Sequence, residues 1–229
     1  MNLKNKYLMI ILAVIIIKTN FSINVQAKEY NRFNNISIED GLSQATVETM
    51  MQDSKGYIWL GTNDGLDRYN GYTFKKYSYE KGQENSLVNS YILDIKEDSE
   101  GNIWVATAAG ISKIYNDGEK VQNYTSDSES GNLSNDNTAT MLISNSNKIY
   151  VGTAEGINLY DKKTDKFNLI YPELKEEYVN SLAEDKYGNI WAGTENGLYK
   201  INVVTNAIER FESTDDVNTI SENYIYKVY

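Results

Sequence analysis

One short sequence pattern occurs four times in this chain and limits what the chain can fold into. "GYIWLGTNDGLDRYNG" begins at Gly56 and returns as "GNIWVATAAGISKIYND" from Gly101, "NKIYVGTAEGINLYDKK" from Asn147 and "GNIWAGTENGLYKINVV" from Gly188. The central aromatic residues of these copies are 45, 46 and 41 residues apart. Four copies cannot all be one active site, so we interpret the pattern as a repeated structural unit.

Each copy predicts four short antiparallel strands. Asp-Gly and Asn-Gly pairs between β-rich runs favour tight hairpins, because these residues tolerate positive φ. Alternation along the second strand directs Ile58 and Leu60 to one face, and Tyr57, Trp59 and Gly61 to the other. Apolar residues on both faces predict burial on both. The strands predicted in the first copy are 46–52, 57–62, 66–70 and 73–78.

A four-stranded unit of about 40 to 45 residues with two apolar faces is typical of a β-propeller blade. We therefore predict an all-β chain of four complete blades and two partial ones, forming part of a larger ring. Residues 29–37 predict the outer strand of a ring-closing blade, and Tyr224 and Ile225 align on Tyr91 and Ile92 of an inner strand. The predicted repeats cover about 41–85, 86–132, 133–172 and 173–218, with a partial blade at 219–229.

Residues 1–27 have the pattern of a secretory signal. Lys4 and Lys6 precede an apolar run at 7–17, and Val25 and Ala27 supply the small residues of a cleavage site. An uncleaved membrane anchor is the alternative, but a run of this length spans only ~16 Å of a ~30 Å hydrocarbon core. We expect residues 28–229 to be exported to the extracellular or periplasmic side, tethered to the membrane in the full-length protein.

Composition excludes several kinds of site. The chain has no Cys and no His, which rules out thiolate and imidazole zinc sites, cysteine nucleophiles and Ser-His-Asp triads. A net charge of -10 disfavours nucleic acid as a partner. Asp53, Asp98 and Asp185 recur at one turn position, where a carboxylate that accepts backbone N–H groups explains them better than metal ligation does. We predict no metal and no cofactor.

The positions that recur in every copy predict a scaffold role. The aromatic column is expected to form the core between blades, and the threonines are expected to satisfy backbone groups at each hairpin. These repeated residues are Trp59, Thr62, Gly65, Trp104, Thr107, Gly110, Tyr150, Thr153, Gly156, Trp191, Thr194 and Gly197.

Positions that differ between copies are better candidates for ligand contact, because a site on a propeller is usually built from loops that converge around the channel. Each such residue is also explained as an ordinary solvated loop residue. The candidates are Gln44, Asn63, Asp64, Asn89, Ser90, Tyr91, Glu177, Tyr178, Glu195 and Asn196.

The segment "GLSQATVETMMQDSKGYIWLGTNDGLDRYNGYTFKKY" at 41–77 resembles the two-component regulator propeller repeat, and the resemblance extends over nearly all of 29–229. It is specific at the D-x-x-G-x-I-W and G-T-x-x-G-[LI] segments. The third copy departs from it at Ser144, Asn147 and Tyr150. Family members usually carry Asn after "GLSQ", where this chain has Ala45.

Such repeats occur in the extracytoplasmic sensor regions of bacterial hybrid histidine kinases and some diguanylate-cyclase regulators. The resemblance implies a non-catalytic ligand-sensing region of a transmembrane signalling protein. Its implied partners are a small polar ligand such as an oligosaccharide, the remaining blades, downstream signalling domains and a second copy in a homodimeric receptor. Two alternatives stay open: a propeller hydrolase or lyase that acts on carbohydrate through a pair of its 32 acidic residues, and a secreted interaction scaffold.

Overall fold

The computed structural model describes residues 35–127 and 132–229. The predicted signal at 1–27 lies outside the described residues, as does most of the predicted outer strand at 29–37; its last three residues form no strand. Within the described ranges, no helix is both long and apolar enough to cross a membrane.

Sixteen strands in the described residues form four separate four-stranded sheets, each antiparallel and each in chain order. Blade 1 comprises β1 (Val47–Gln52), β2 (Ile58–Thr62), β3 (Gly65–Tyr69) and β4 (Phe74–Tyr77). Blade 2 comprises β5 (Ile92–Glu97), β6 (Ile103–Thr107), β7 (Gly110–Ile114) and β8 (Val121–Tyr124). Blade 3 comprises β9 (Thr138–Ile143), β10 (Ile149–Thr153), β11 (Gly156–Asp161) and β12 (Lys166–Ile170). Blade 4 comprises β13 (Val179–Glu184), β14 (Ile190–Thr194), β15 (Gly197–Ile201) and β16 (Ile208–Phe211). Short 3-10 helices cover Ile38–Asp40 and Pro172–Leu174.

The all-β propeller prediction is confirmed, and the strand bounds in blade 1 differ from the prediction by about one residue. β3 begins at Gly65 rather than Leu66, because Gly65 pairs directly with Thr62 across the hairpin. The inner strand β1 carries a register shift between Val47 and Thr49. Shifts at the matching positions of β5 and β13 show that this bulge belongs to the repeat.

The core lies between blades rather than inside any one of them. Inner strands contact each other in chain order, β1 with β5, β5 with β9 and β9 with β13. Trp59 is 2% exposed and packs with Ile103 and Val105 of blade 2 in one hydrophobic cluster. Equivalent clusters fill the next two junctions. β6 and β10, with a blade on each side, are buried along their whole length, which confirms the predicted burial of both faces.

The segment 219–229 contains no assigned strand, although the sequence predicts the first strand of a further blade there. It nevertheless lies along β13 in the manner of an inner strand. The N–H of Val228 donates to Ser181 Oγ at 3.1 Å, and the N–H of Met141 donates to Asp94 Oδ2 at 2.9 Å at the matching position between blades 2 and 3. Among the described residues the segment has no neighbouring strand of its own blade, so the hydrogen-bonded ladder that defines a strand does not form.

Candidate functional site

A carboxylate closes the turn between the first two strands of blades 1, 2 and 4. In blade 1, Asp53 Oδ1 accepts from the N–H groups of Lys55 at 3.0 Å and Tyr57 at 2.8 Å. Asp53 Oδ2 accepts from the indole Nε1 of Trp59 at 2.7 Å. The equivalent carboxylate–indole bonds join Asp98 to Trp104 at 2.8 Å and Asp185 to Trp191 at 3.1 Å. The three carboxylates are engaged in the scaffold.

The recurrent threonine closes the next hairpin in every blade. Thr62 Oγ1 donates to the carbonyl oxygen of Gly65 at 2.8 Å and accepts from the N–H of Asp64 at 3.1 Å. The same pair of bonds occurs at Thr107, Thr153 and Thr194. All four threonines are fully buried. The hydroxyl therefore satisfies two backbone groups of the turn.

Two more residues complete the aspartate–tryptophan pair in each of these three blades. In blade 1 the Arg68 guanidinium lies 5.7 Å from the Trp59 ring, and the Tyr77 ring stacks on Trp59 at 5.5 Å. The corresponding cation and ring are Lys113 and Tyr124 in blade 2, and Lys200 and Phe211 in blade 4. We call these four positions (aspartate, tryptophan, cation and outer-strand aromatic) the stack set.

Blade 3 replaces all four members of the stack set. Ser144 replaces the aspartate and Tyr150 replaces the tryptophan. Leu159 occupies the position of the cation, and Ile170 occupies the position of the outer-strand aromatic. The Ser144 hydroxyl accepts from the N–H of Lys148 at 3.1 Å and so still closes the turn. Tyr150 has no ring N–H to donate, and the loss of the carboxylate is matched by the loss of the indole.

The position occupied by Ala45, where the resemblance favours Asn, serves the junction between blades. Of its four equivalents, Glu177 is hydrogen-bonded within its own blade, and the other three accept the N–H of a residue just beyond the outer strand of the preceding blade. These bonds run from Tyr79 to Ser90 Oγ at 2.9 Å, from Ser126 to Asp136 Oδ1 at 2.6 Å and from Ser213 to Asn223 Oδ1 at 2.6 Å. At these three positions the polar side chain therefore forms a hydrogen bond between two blades, a role that the sequence did not reveal.

The candidates in blades 1 and 2 are mostly separate, and three of the six are exposed. Asn63 and Asp64 lie exposed in the β2–β3 turn. Asn89 caps its own loop by accepting the N–H of Tyr91 at 2.7 Å, and Tyr91 is 41% exposed. The carbonyl of Ser90 accepts from the N–H of Gly65 at 2.7 Å, which brings this loop against the turn of blade 1. The side chain of Gln44 accepts from the N–H of Thr46 within its own loop.

The structure brings the blade 4 candidates together around a buried carboxylate. Glu177 is 8% exposed. Its Oε1 accepts from the hydroxyl of Tyr199 at 2.8 Å, and its Oε2 accepts from the side-chain amide of Asn196 at 3.0 Å. Burial raises the pKa of the Tyr199 hydroxyl, and the hydrogen bond to Glu177 raises it further. We call Glu177, Asn196 and Tyr199 the Glu177 cluster.

Two contacts extend this cluster toward blade 3. The hydroxyl of Tyr178 donates to Asn137 Oδ1 at 3.2 Å, and so joins blade 4 to the loop before β9. The β10–β11 hairpin of blade 3 also contacts this cluster, because the N–H of Gly156 donates to the carbonyl of Glu177 at 3.0 Å. In blade 3 the amide of Asn135 donates to Glu155 Oε1 at 3.0 Å, a second amide–carboxylate pair.

Sequence reasoning identified Glu177, Tyr178 and Asn196 but missed four neighbours: Tyr199, Asn137, Asn135 and Glu155. Asn135 aligns with Asn89, and Glu155 aligns with Asp64 and Asn196, so comparison of the repeats was enough to indicate both residues. Glu195 lies exposed beside Asn196 and joins Tyr178 only through its backbone N–H, at 3.3 Å. Blades 2 and 3 stand between the blade 1 candidates and this cluster. Among residues 35–127 and 132–229, no three acidic side chains are grouped as a metal site would need.

Residues 41–64, 86–109 and 173–196 match the sequence model of the two component regulator propeller family. These three segments of the chain are two component regulator propeller repeats. The three matches fall in blades 1, 2 and 4, the blades that keep the stack set. Histidine kinase P4 of Formosa agariphila is 39% identical over 64 residues, which cover 28% of this chain and 5% of that protein.

Solved structures with similar folds come from proteins of different kinds. The extracellular domain of a protein described as a hybrid two component system of B. thetaiotaomicron has a TM-score of 0.52 and 20% identity, over 79% of this chain and 32% of that one. A streptogramin B lyase has a TM-score of 0.58 and 16% identity, over 75% and 56%. Virginiamycin B lyase of Staphylococcus aureus has a TM-score of 0.58 and 15% identity, over 76% and 58%. At these identities the likeness establishes the propeller fold alone.

Proposed function

We propose that this two component regulator propeller is the extracytoplasmic ligand-sensing region of a membrane-tethered signalling protein and is not itself catalytic. Three repeat matches, a similar protein named as a histidine kinase and a similar extracellular domain of a two component system support this assignment. The matched segment spans a small part of the kinase, so the output domain and the partners of the whole protein belong to the proposal.

The Glu177 cluster carries the proposal for where a ligand binds. A carboxylate has about four acceptor sites and Glu177 uses two of them, which leaves acceptors for ligand hydroxyl groups. Asn196 and Tyr178 add groups that both donate and accept. A net charge of -10 disfavours anions. The expected ligand is therefore a small neutral polyhydroxylated molecule such as an oligosaccharide.

Ligand binding at this cluster would act on the junction between two blades. The bond from Tyr178 to Asn137 and the backbone bond from Gly156 to Glu177 cross that junction. A ligand that holds groups of both blades favours the packing in which they lie closest. Such a difference in affinity between two packing states is what a sensor needs in order to change its output.

Calorimetric titration of the full chain with a panel of neutral and anionic oligosaccharides tests this proposal. At least one neutral member should bind saturably, and Glu177→Gln should weaken its binding at least fivefold because one acceptor becomes a donor. The matched control Glu176→Gln changes an exposed neighbour and should leave the affinity unchanged. Absence of binding across the panel, or equal effects of the two variants, would overturn the assigned site. Cleavage of a panel member would overturn the non-catalytic assignment.

A further inference from the structure

An apolar cavity of about 390 Å³ opens between blades 3 and 4, at the junction where the stack set is replaced. This volume lies within the range of about 300 to 1,000 Å³ that is typical of small-molecule sites. Its apolar walls and polar rim include Tyr150, Leu159, Ile170, Tyr171, Val203 and Asn206. None of these residues belongs to the Glu177 cluster, so the inference does not depend on the proposed function.

The preceding junction shows what is missing here. Ile170 pairs with Ile157 as Tyr124 pairs with Ile111, so Ile170 occupies the position of Tyr124 one blade later. The Tyr124 ring stacks on Trp104 at 5.7 Å and fills the space between blades 2 and 3. In blade 3 the smaller pair of Tyr150 and Ile170 leaves the corresponding space open.

The polar partner of the missing ring is still in place. The hydroxyl of Tyr124 donates to Asp165 Oδ1 at 2.7 Å, in the outer turn of the next blade. Asn206 lies at the matching position of the blade 4 turn, and both residues have positive φ, 55° for Asp165 and 57° for Asn206. In the described part of the chain, no protein group is hydrogen-bonded to the side chain of Asn206. Asn206 is an exposed residue that lines the cavity, without the tyrosine hydroxyl that Asp165 accepts at the preceding junction.

The cavity mouth has a second unusual feature. Tyr171 has φ 57° and ψ 72°, a left-handed conformation that bulky residues rarely adopt. Such outliers concentrate at ligand and switch sites. The conformation lies at the start of the Pro172–Leu174 helix, at the edge of the cavity.

We propose that this cavity binds a phenolic compound, whose ring takes the place of the absent tyrosine ring and whose hydroxyl donates to Asn206. The ring packs on Tyr150 and contacts Leu159, Ile170 and Val203. A substituent para to the hydroxyl points away from Asn206, as the Cβ of a tyrosine does. Lys148 and Glu173 at the rim suit a polar group on that substituent.

Titration of the full chain with p-cresol and toluene, followed by NMR, tests this assignment. p-Cresol should bind saturably, and toluene should bind about 3- to 10-fold more weakly because it lacks one neutral hydrogen bond. Asn206→Ala should remove this preference. Ile170→Tyr should weaken the binding of p-cresol at least tenfold, because the ring of the introduced tyrosine fills the cavity. Val217→Tyr, which adds the same ring at an exposed position, should have no effect.

Failure of p-cresol to bind, or binding that Ile170→Tyr leaves unchanged, would overturn the proposal. If that variant does not fold, nuclear Overhauser contacts in the unmodified chain decide the question. Contacts from the p-cresol ring to the methyl groups of Ile170 and Val203 are expected, and their absence in the saturated complex would contradict the assignment. Loss of oligosaccharide binding through the Glu177 cluster would not affect this result, because the two sites share no residue.

Discussion

The indole Nε1 of Trp59 lies 2.7 Å from Oδ2 of Asp53, the carboxylate that also closes the turn preceding its strand. The buried indole N–H is therefore satisfied within its own blade, while the ring packs on the next blade. Because the same bond recurs in blades 2 and 4, the aspartate and the tryptophan act as one unit. This unit predicts how the blades respond to substitution.

Asp98→Ala should lower the free energy of unfolding by about 2 to 4 kcal/mol, because it leaves the buried indole of Trp104 and two backbone N–H groups without their acceptor. Urea denaturation followed by tryptophan fluorescence measures this loss. Glu48→Ala, which removes an exposed carboxylate from β1, should change stability by less than about 0.5 kcal/mol. A decrease in the free energy of unfolding below about 1 kcal/mol for Asp98→Ala would show that the bond between Asp98 and Trp104 contributes little to stability.

Ser144→Asp and Tyr150→Trp should be coupled in blade 3. Either change alone adds half of a pair, an acceptor without an indole or an indole without its acceptor. The free energy of unfolding of the double variant should exceed the value expected from the sum of the two single effects by about 0.5 to 2 kcal/mol. A double-mutant cycle in urea measures the coupling. Simple additivity of the two changes would contradict the interpretation of the pair as one unit.

Gly152→Ala should destabilise the chain by about 1 to 3 kcal/mol through overpacking. The added Cβ would lie 2.8 Å from Val179 Cγ1 and 2.9 Å from the Val179 carbonyl oxygen, and a strand backbone cannot move aside cheaply. At Gly193 the nearest atom is Ile225 Cγ2, a side-chain end at 2.6 Å. Gly193→Ala should therefore cost less. Thermal denaturation of both variants tests whether Gly152→Ala is the more destabilising change. The opposite result is expected if the segment 219–229 is the more rigid neighbour.

Asp185 should contribute to the acid dependence of stability. Hydrogen bonds from the side chain of Asn189, and then from the Trp191 indole, hold the pKa of this carboxyl well below its usual range. A depressed folded-state pKa gives a contribution that is fully present above the unfolded value of about 3.9 and is lost as the pH falls toward the folded value. Asp185→Asn should flatten the fall of the melting temperature between about pH 4 and pH 2. Parallel acid profiles for the two proteins would contradict this.

Much of the fold could be predicted because its signals are local. Hairpin residues such as Asn63 and Gly65 specify turns within a few positions, and the interval between repeats specifies the blade. The bond between Asp53 and Trp59 was within reach as well, because the two residues disappear together where Ser144 and Tyr150 replace them. That signal is a comparison between copies, which examination of each position alone does not reveal.

The candidate site was only partly predictable because its contacts join distant segments. Glu177 was identified from its loop, but its partner Tyr199 comes from the middle of β15 and resembles an ordinary strand residue. The cavity between blades 3 and 4 was missed for a similar reason. Tyr150 and Ile170 are each acceptable strand residues, and the space appears only when both small replacements face the same junction.

The hydrogen bond of each indole has a consequence for how such chains can lengthen. Its acceptor lies six residues away along the chain, so both partners are inherited together when a single repeat is duplicated. A new copy would bring the indole together with its acceptor, so the added blade would need no acceptor for this N–H from its neighbours. Individual copies are then free to diverge, and blade 3 shows how one diverged copy can acquire a space that the others lack.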